Sequence, residues 1–363
     1  MKYLITGITG FLGPHLANIL VKEGHDVYGL IRINNGREND IRDVVDDAVF
    51  EKITFVCGDI CDYRAMNTIF TTHTFDGVFH LAAQSHPPTS FTDPIMTWEN
   101  NVMGSINLIT CIKDSQPGVK RVDPRPDTPK GCLDGSERFL DSTPRISAGN
   151  PVLNECKFVF CSTVEVYGNE GIDGRKIVED NTFLPANPYG ASKAAIDMYL
   201  QERIKNNQMN CVIVRPFCFT GPRRGSKFSI SSDAIQIARM MLGKQDKVLK
   251  IGNLDTVRIV ADVRDIANAF YLIMVNNNTS GKTYNVCAGE PNKIRYYTET
   301  LIRLSGLSDV TMEIEPKFWR PIDIQYQDGD CTRLMEDVNW QPEYKIEDTL
   351  NDLLQYWVKK IDT

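Results

Sequence analysis

The chain has 363 residues, a length that suits a large α/β core with a smaller appended unit. Hydrophobic residues make up 42% of the sequence and charged residues 24%, as in ordinary soluble globular proteins. The net charge of −7 argues against nucleic acid or an anionic membrane as a partner, and no apolar run approaches the length of a membrane span.

The cysteines indicate a reducing compartment. The ten cysteines are irregularly spaced, and no two of them form a Cys-x-x-Cys pair. We therefore expect reduced thiols in a cytoplasmic protein. Because the five histidines do not lie at ligand spacing near these cysteines, we expect no metal site. No secretory signal is visible, since the stretch "KYLIT" at the start already has the pattern of a core strand.

Strands and helices alternate along the first 217 residues. The apolar pattern predicts strands at residues 2–6, 26–32, 52–60, 75–83, 157–163 and 210–217. Helical patterns lie between them, at residues 14–23, 64–73, 96–115 and 189–207. This alternation predicts an α/β fold with a doubly wound parallel sheet of the Rossmann type, covered by helices on both faces.

The regular alternation of predicted strands and helices changes after about residue 221. Helices are predicted at 229–244, 262–276 and 347–361, and strands at 247–253 and 282–290. We expect residues 1–221 to form a cofactor-binding domain and residues 222–363 a smaller C-terminal lobe that binds substrate, with segments able to cross between the two. The substrate cleft should then lie between these units.

One segment interrupts the alternation. Residues 115–153 show little periodicity, and six prolines fall between Pro117 and Pro151, which predicts a long surface loop. Loops of this length inside a domain are uncommon and often carry a function. Two interpretations remain open for this segment: a tolerated insertion, or a lid or subunit contact.

Three glycines follow the first predicted strand. Gly7, Gly10 and Gly13 form a Gly-x-x-Gly-x-x-Gly motif at the head of the first helix. Glycines allow a tight turn and close approach of the backbone, and the helix N-terminus offers N–H groups and a partial positive charge to a diphosphate. The motif therefore predicts a dinucleotide site, with a ligand-free β-α turn as the alternative.

The end of the second strand indicates which dinucleotide is bound. An acidic residue there would bind the adenosine ribose of NAD, but the stretch "GLIRINNGRE" has no acid before Glu38. Arg32 and Arg37 are available instead, and a guanidinium suits the 2′-phosphate of NADP. We therefore expect NADP, with NAD as the alternative if both arginines are solvated surface residues. Asp59, near the end of the third strand, is placed to contact the adenine.

A tyrosine and a lysine share one face of the helix predicted at 189–207. In the stretch "YGASK", Tyr189 and Lys193 are four residues apart. An ammonium beside a phenol favours the phenolate, as does an oxidised nicotinamide, and a phenolate can remove a proton from a sugar hydroxyl while hydride leaves its carbon. Upstream, "STVEVYG" places Thr163 and Glu165 at the carboxyl edge of the sheet, where ligands of such sheets bind. Thr163 can hydrogen-bond the same substrate oxygen.

These motifs resemble those of the extended short-chain dehydrogenase/reductase family. The resemblance is carried by "TGITGFLG", "HLAAQS", Asn101-x-x-Gly104, "STVEVYG", "PYGASK" and "RPFCFTGP", and it covers nearly the whole chain apart from the proline-rich segment. Later stretches, "GPRRGSKF", "GNLDTVR", "DVRDIANAFYLIM", "YNVCAGE" and "RPIDIQYQDGD", are similar to the GDP-mannose 4,6-dehydratases and the GDP-4-keto-6-deoxymannose reductases. The chain departs from the family at Cys218, where Asn is common, and at Arg258 and Ile259, where Arg-Asp is common.

The resemblance implies the catalytic roles. Thr163, Tyr189 and Lys193 match the catalytic positions of the family, and Glu165 matches the glutamate of the dehydratases. In a 4,6-dehydratase, C4 of the sugar is oxidised, the glutamate removes the C5 proton and helps to expel the C6 hydroxyl, and hydride returns to C6 without net redox. A 4-ketoreductase that consumes NADPH and a 4-epimerase need no such acid and remain alternatives. A cofactor-sensing regulator without catalysis is a different class of function.

Two further sets of contacts are predicted. The cofactor-binding set comprises Gly7, Thr9, Gly10, Phe11, Leu12, Gly13, Arg32, Asp59, Ile60, Leu81, Ala82, Ala83, Tyr189, Lys193 and Pro216. The substrate-binding set comprises Ser85, Cys218, Arg223, Arg258 and Arg320. By resemblance the three arginines grip the substrate diphosphate, and a surface salt bridge is the alternative for each. The implied partners are a nucleotide-diphosphate sugar and further copies of the chain in a homodimer or homotetramer, without nucleic acid or membrane.

Overall fold

The computed structural model describes residues 1–32, 36–115, 156–319 and 322–363. Arg320 and the proline-rich segment from residue 116 onward lie outside these ranges, and the hypotheses about them stay predictions. No helix within the described ranges combines the length and the apolar composition that crossing a bilayer requires. The nine cysteines in these ranges are free thiols, and Cys57 and Cys61 are the exposed ones among them.

The strands are short, as is usual for a sheet buried on both faces. They are β1 (Lys2–Thr6), β2 (Asp26–Ile31), β3 (Ile53–Cys57), β4 (Gly77–His80), β5 (Lys157–Cys161), β6 (Cys211–Pro216), β7 (Cys218–Thr220), β8 (Val248–Ile251), β9 (Val257–Arg258), β10 (Val260–Asp262), β11 (Thr283–Val286), β12 (Asn292–Lys293), β13 (Thr311–Ile314) and β14 (Tyr326–Gln327).

The helices are α1 (Leu12–Lys22), α2 (Asp47–Phe50), α3 (Tyr63–Thr72), α4 (Pro87–Thr92), α5 (Pro94–Trp98), α6 (Gly104–Asp114), α7 (Pro188–Lys205), α8 (Ser229–Met241), α9 (Val263–Val275), α10 (Ile294–Ser305), α11 (Thr332–Val338) and α12 (Ile346–Asp362). A π-helical turn, Glu99–Met103, joins α5 to α6, so the single helix predicted at 96–115 consists of three segments. Short 3-10 turns lie at Glu38–Asp43, Val164–Val166, Asn277–Thr279 and Pro316–Phe318.

Seven parallel strands form the central sheet, in the order β11-β6-β5-β4-β1-β2-β3. The chain runs outward from β1 to β3 and then returns to β4 on the other side of β1. Ligands of doubly wound sheets bind at this reversal, outside the carboxyl ends of the two strands that flank it. The predicted Rossmann-type fold is confirmed, and the reversal lies between β1 and β4.

Each strand contributes side chains to two cores because successive side chains point to opposite faces of a sheet. Leu4, Val78 and Phe158 pack with α3, α6 and α7. Ile5 and Phe79 pack on the other face with α1 and α9. This double burial explains why the strands read as continuous apolar runs in the sequence.

Two elements that follow residue 221 lie with the large sheet. Strand β11 pairs with β6 at its edge, and α9 packs against α1. The elements predicted for residues 1–221 and 222–363 are therefore interleaved in space. The smaller C-terminal unit consists of α8, α10 and α12 around the apolar side chains of Ala234, Leu301 and Leu353, with small sheets formed by β8 with β13 and by β9 with β12 and β14.

Candidate active site

The glycine loop joins β1 to α1 and forms one wall of the crevice. Gly7 has a left-handed backbone, with φ of +77°, and a Cβ there would lie 2.7 Å from the backbone nitrogen of Ala82. At Gly13, a Cβ would lie 2.6 Å from the carbonyl oxygen of Gly7. Side chains are therefore excluded at both positions, and backbone N–H groups at the start of α1 face the crevice. This cradle fits the diphosphate of a dinucleotide.

A buried histidine ties the strands that flank the crevice. The Thr6 hydroxyl lies 2.7 Å from Nδ1 of His80, and Nε2 of His80 lies 2.8 Å from Oγ of Ser105. Because Ser105 donates to the carbonyl of Asn101 at 2.6 Å, its oxygen accepts from Nε2 of His80. Burial lowers the pKa of His80 to about 3, so the ring is neutral. Its two hydrogen bonds connect β1, β4 and α6.

Arg32 and Asp59 lie at the same corner of the sheet. Arg32 is exposed at the end of β2, and Asp59 follows β3 and accepts the backbone N–H of Cys61 at 2.9 Å. Burial and Asp59 raise the pKa of the Cys61 thiol to about 11, and the positive charge of Arg32 opposes that rise. Both side chains therefore lie near Cys61, beyond the carboxyl ends of the neighbouring strands β2 and β3. Ile60 is buried next to them, against Gly104.

Thr163 and Tyr189 meet at the carboxyl end of β5. Strand β5 ends at Cys161, two residues earlier than predicted, and Thr163 then caps the turn Val164–Val166 by accepting the N–H of Glu165 at 3.3 Å. The phenol of Tyr189 hydrogen-bonds the side chain of Thr163. Burial raises the pKa of Tyr189 well above its usual value, so in the protein alone burial outweighs the phenolate-favouring effect expected of Lys193.

Lys193 lies one turn along α7 from Tyr189 and is 2% exposed. Burial lowers the pKa of its ammonium to about 8. Its Nζ lies 4.3 Å from the centre of the Phe160 ring on β5, a cation–π contact that compensates part of the desolvation. The ammonium is therefore held inside the site on a rigid helix.

Glu165 is also buried, at 8% exposure. Nδ2 of Asn187 donates to its Oε2 at 2.7 Å, while Oδ1 of Asn187 accepts the N–H of Gly190 at 2.8 Å and caps α7. A Cβ at Gly190 would lie 2.7 Å from the carbonyl oxygen of Glu165, so the first turn of α7 packs directly on this backbone. The carboxylate and the phenol of Tyr189 are consequently positioned by the same helix.

Asn101 belongs to the site's framework although it was absent from the predicted contacts. It lies in the π-helical turn, where its Nδ2 donates to the carbonyl of Gln84 at 3.0 Å and to Oγ of Ser192 at 2.9 Å. Ser192 donates to the carbonyl of Tyr189 at 2.7 Å. Asn101 thereby links the loop after β4 to the helix that carries the tyrosine and the lysine. Its presence in the quoted Asn-x-x-Gly motif was the only signal in the sequence.

Arg223 contacts the glycine loop. Its Nη2 donates to the carbonyl of Thr9 at 3.0 Å, its Nη1 to the carbonyl of Gly10, and its Nε to the carbonyl of Asp40 at 2.9 Å. The resemblance assigned this guanidinium to the substrate diphosphate; here each of its three nitrogens donates one hydrogen bond to the backbone of the glycine loop or of Asp40. Its backbone is left-handed, with φ of +74°, which an arginine adopts only at a cost.

Arg258 and Arg224 have different surroundings. Arg258 is buried in the C-terminal unit, where it donates to the carbonyls of Val257 at 2.8 Å and Ile324 at 2.7 Å and pairs with Asp323 at 3.5 Å. Arg224, which the sequence-based set omitted, lies against aromatic rings. Its guanidinium is 3.5 Å from the ring centre of Phe228, and its charge acts on the Tyr189 phenol. Burial lowers its pKa to about 10.

The other predicted contacts lie at the start of α1 and in the segments around the ends of β4 and β6. Phe11 stacks on Phe219 with ring centres 5.5 Å apart, and Leu12 is buried at the start of α1. Leu81, Ala82 and Ala83 are half-buried after β4, Ser85 beyond them is exposed, and Pro216 ends β6 opposite Val286. Cys218 is half-buried at the start of β7, where it acts electrostatically on Arg224.

Comparison with known proteins shows the family and the fold. A GDP-6-deoxy-D-mannose reductase of Pseudomonas aeruginosa is 26% identical over 99% of this chain and 98% of the relative. A human GDP-mannose 4,6 dehydratase is 24% identical over 99% of this chain and 92% of the relative. A solved structure of RMD from Pseudomonas aeruginosa, complexed with NADPH, superposes with a TM-score of 0.75 at 24% identity and covers 99% of both chains. The family described as GDP-mannose 4,6 dehydratase matches residues 4–353, nearly the whole chain, and the protein therefore belongs to that family.

Proposed function

We propose that the protein is a nucleotide-sugar 4,6-dehydratase that acts on a GDP-hexose and yields a 4-keto-6-deoxy sugar. The observation that carries this proposal is the buried carboxylate of Glu165, which shares its surroundings with Thr163 and Tyr189. A dehydratase needs an acid–base group in addition to the tyrosine and the lysine, and Glu165 supplies it. Membership of the dehydratase family supports the same reaction.

NADP is the proposed cofactor. The glycine cradle suits its diphosphate, and Arg32 at the end of β2 suits the 2′-phosphate because a guanidinium forms charge-assisted hydrogen bonds with phosphate oxygens. The Pseudomonas relative was solved with NADPH, which supports this preference. When bound, the nicotinamide supplies the redox chemistry, accepting hydride from C4 and returning it to C6, so the cofactor is not consumed.

Tyr189 starts the reaction as the general base. Its oxygen takes the proton of the C4 hydroxyl while Thr163 hydrogen-bonds the same substrate oxygen and keeps it in place. Lys193, one turn away on α7, provides a positive charge that favours the phenolate. The resulting ketone at C4 acidifies the proton on C5.

Glu165 then carries out the elimination. Its carboxylate removes the C5 proton, and the same group, now protonated, gives a proton to the departing C6 hydroxyl as water. One carboxyl group can perform both transfers because it is held at one point by Asn187. As hydride returns to C6, C5 regains a proton from Tyr189, which is restored to the phenolate. The net change is loss of one water from the sugar with no net oxidation.

The substrate diphosphate is proposed to bind between the two units. Arg258 and Arg320 remain candidates for this contact by resemblance, with Ser85 and Cys218 near the sugar. Arg223 is better assigned to the glycine loop, given its three hydrogen bonds there. Arg224, stacked on Phe228 and close to Tyr189, adds positive charge on the reactive side of the crevice.

A 4-keto-sugar nucleotide reductase is the second candidate. The 26% identity to the Pseudomonas reductase over nearly the whole chain favours it. Such an enzyme needs Thr163, Tyr189 and Lys193 but no base for C5, and it consumes one NADPH per turnover. A 4-epimerase likewise needs Thr163, Tyr189 and Lys193 but no base for C5. It would leave the composition of the sugar unchanged.

A panel of nucleoside-diphosphate hexoses distinguishes these reactions. The purified protein is mixed with each sugar nucleotide without added cofactor, and the products are weighed by mass spectrometry. Loss of one water from a GDP-hexose supports the dehydratase. Conversion that requires added NADPH supports the reductase, and an isomer of unchanged mass supports the epimerase.

We further propose a homo-oligomer of the cytoplasm. Helices α5 and α7 pack together, and Ile95, Trp98, Met103 and Met198 on and beside them are between 42% and 72% exposed. Exposed apolar side chains in a cluster are typical of contacts between subunits. Light scattering would give the mass of a dimer or tetramer if this is right, and the mass of one chain if it is wrong.

A further inference from the structure

The side chain of Asn187 faces two partners at once. Its Oδ1 accepts the N–H of Gly190 at 2.8 Å, and its Nδ2 donates to Oε2 of Glu165 at 2.7 Å. It is 7% exposed, so both bonds are shielded from water. Because only an oxygen can cap the helix, the orientation of the amide is determined, and its NH₂ group must point at the carboxylate.

This donor fixes the direction of the Glu165 carboxylate. A hydrogen bond to a carboxylate is roughly twice as strong as one between neutral groups. The bond holds one carboxylate oxygen and leaves the other free to take a proton. A group that removes a proton from carbon needs such a defined direction.

We propose that Asn187 is a positioning residue for Glu165, holding the carboxylate oriented toward C5 of the sugar while it caps the helix that carries Tyr189 and Lys193. This inference rests on the proposed dehydratase function. One side chain would then align the base for elimination with the residues that oxidise C4. Both steps would depend on the same helix start, because Asn187 contacts Glu165 and caps the helix that carries Tyr189 and Lys193.

Three variants separate the cap from the carboxylate bond. Asn187→Ser keeps an oxygen that caps α7 but has no amide to donate to Glu165. Asn187→Asp also keeps the cap and places a negative charge beside Glu165. Asn187→Ala removes both interactions. Asp62→Ser is the matched control, since Asp62 caps α3, away from the site, by accepting the N–H of Arg64 at 2.9 Å.

The readout is the split between kcat and KM for water loss from the sugar nucleotide, together with the absorbance of reduced nicotinamide during turnover. Without the amide donor, the carboxylate is no longer held in one direction, so elimination slows while oxidation at C4 continues. The kcat should fall about tenfold or more in Asn187→Ser and further in Asn187→Asp. KM should change little, and reduced nicotinamide should accumulate in both variants.

The control and the melting temperatures complete the test. Asp62→Ser should keep the wild-type kcat without accumulating reduced nicotinamide, and Asn187→Ser should melt within a few degrees of wild type because the cap is retained. If wild type releases water but Asn187→Ser and Asn187→Asp keep its kcat and accumulate no reduced nicotinamide, the positioning role is wrong and the dehydratase function stands. If wild type releases no water from any sugar nucleotide, both are overturned. Should Asn187→Asp fail to fold, Asn187→Ser alone decides.

Discussion

Arg215 and Asp197 form a two-pronged ion pair directly beneath the site. Nε of Arg215 lies 2.8 Å from Oδ2 of Asp197, and Nη2 lies 2.8 Å from Oδ1. Both side chains are buried, and Ser162 donates to the same carboxylate at 2.8 Å. Because Asp197 lies one turn beyond Lys193 on α7, this pair connects the helix that contains Tyr189 and Lys193 to β6 and to the end of β5.

Asp197→Asn should be strongly destabilising. Removing one partner leaves the Arg215 charge buried without compensation, which typically costs about 3–5 kcal/mol of unfolding free energy. Urea unfolding of the two proteins at neutral pH measures the difference. Asp352→Asn is the control, since Asp352 pairs at 2.9 Å with Arg264 on a more exposed surface and should cost far less. Equal losses of unfolding free energy in the two variants would mean that burying the Arg215–Asp197 pair does not make its disruption more costly.

The contacts of Arg223 predict a role in cofactor binding. Arg223→Ala removes three hydrogen bonds to the glycine loop and the neighbouring turn, so NADP should bind roughly ten- to a hundredfold more weakly. Arg223→Gly loses the same side chain but relieves the left-handed backbone. Calorimetry should give similar losses for both variants. An affinity close to wild type in Arg223→Ala would show that the loop holds its shape without the guanidinium.

Arg32 should determine the preference between the two dinucleotides. Arg32→Asp replaces a group that attracts the 2′-phosphate by one that repels it and can bind the ribose hydroxyls of NAD. Binding should therefore shift from NADP toward NAD, as measured by calorimetry with both cofactors. Arg37→Asp is the matched control, because Arg37 already pairs with Asp40 at 3.2 Å. The assignment fails if wild type binds NAD more tightly than NADP.

Lys193 is held in the site at the expense of stability. Burial lowers its pKa to about 8, whereas a lysine in an unfolded chain has a value of about 10.4. The unfolded chain therefore binds this proton more tightly, and the penalty is present in full below pH 8 and disappears as the pH rises toward the unfolded value.

Lys193→Met should consequently stabilise the cofactor-free protein at pH 7 by on the order of 2 kcal/mol while removing turnover. The gain in unfolding free energy over wild type should shrink as the pH approaches 10, about where the unfolded lysine loses its charge. Urea unfolding at the two pH values measures it. A variant that is less stable than wild type at pH 7 would mean that the Phe160 contact outweighs the desolvation.

The sequence predicted what depends on local pattern. The glycine spacing after β1 and the four-residue interval between Tyr189 and Lys193 are set within single elements, and both stand where the periodicity indicated. Strand ends were predicted too long, at Ala83 and Thr163, because apolar or β-branched residues continue beyond the last ladder hydrogen bond at His80 and Cys161. These extra residues leave the sheet and line the crevice.

Contacts between distant segments escaped prediction. Arg223 reaches back to Thr9, more than two hundred residues away in the chain. Asn187 meets Glu165 across 22 residues. An arginine after Gly-Pro and an asparagine before Pro have many uses, and only the packing of β7 and α7 against the site decides which partner each one finds. Helix α10 was also missed, although its buried residues Ile294, Tyr297 and Leu301 recur at helical spacing.

The central claim is that Glu165 removes the C5 proton, and a paired isotope and trapping experiment tests it most directly. Wild type, Glu165→Gln and Tyr189→Phe are each given GDP-mannose in D₂O, and the product mass, the deuterium at C5 and the absorbance of reduced nicotinamide are measured. Wild type should lose one water and carry deuterium at C5, because the hydrogen removed from C5 leaves with the water and C5 regains one that has exchanged with solvent. Glu165→Gln should complete C4 oxidation and accumulate reduced nicotinamide without losing water, since an amide cannot accept the proton. Tyr189→Phe should do neither, with turnover reduced by roughly a hundredfold or more.

A different pattern would contradict the account. In that pattern, wild type consumes added NADPH stoichiometrically on a 4-keto substrate, no water is lost from GDP-mannose, and Glu165→Gln has only a modest effect.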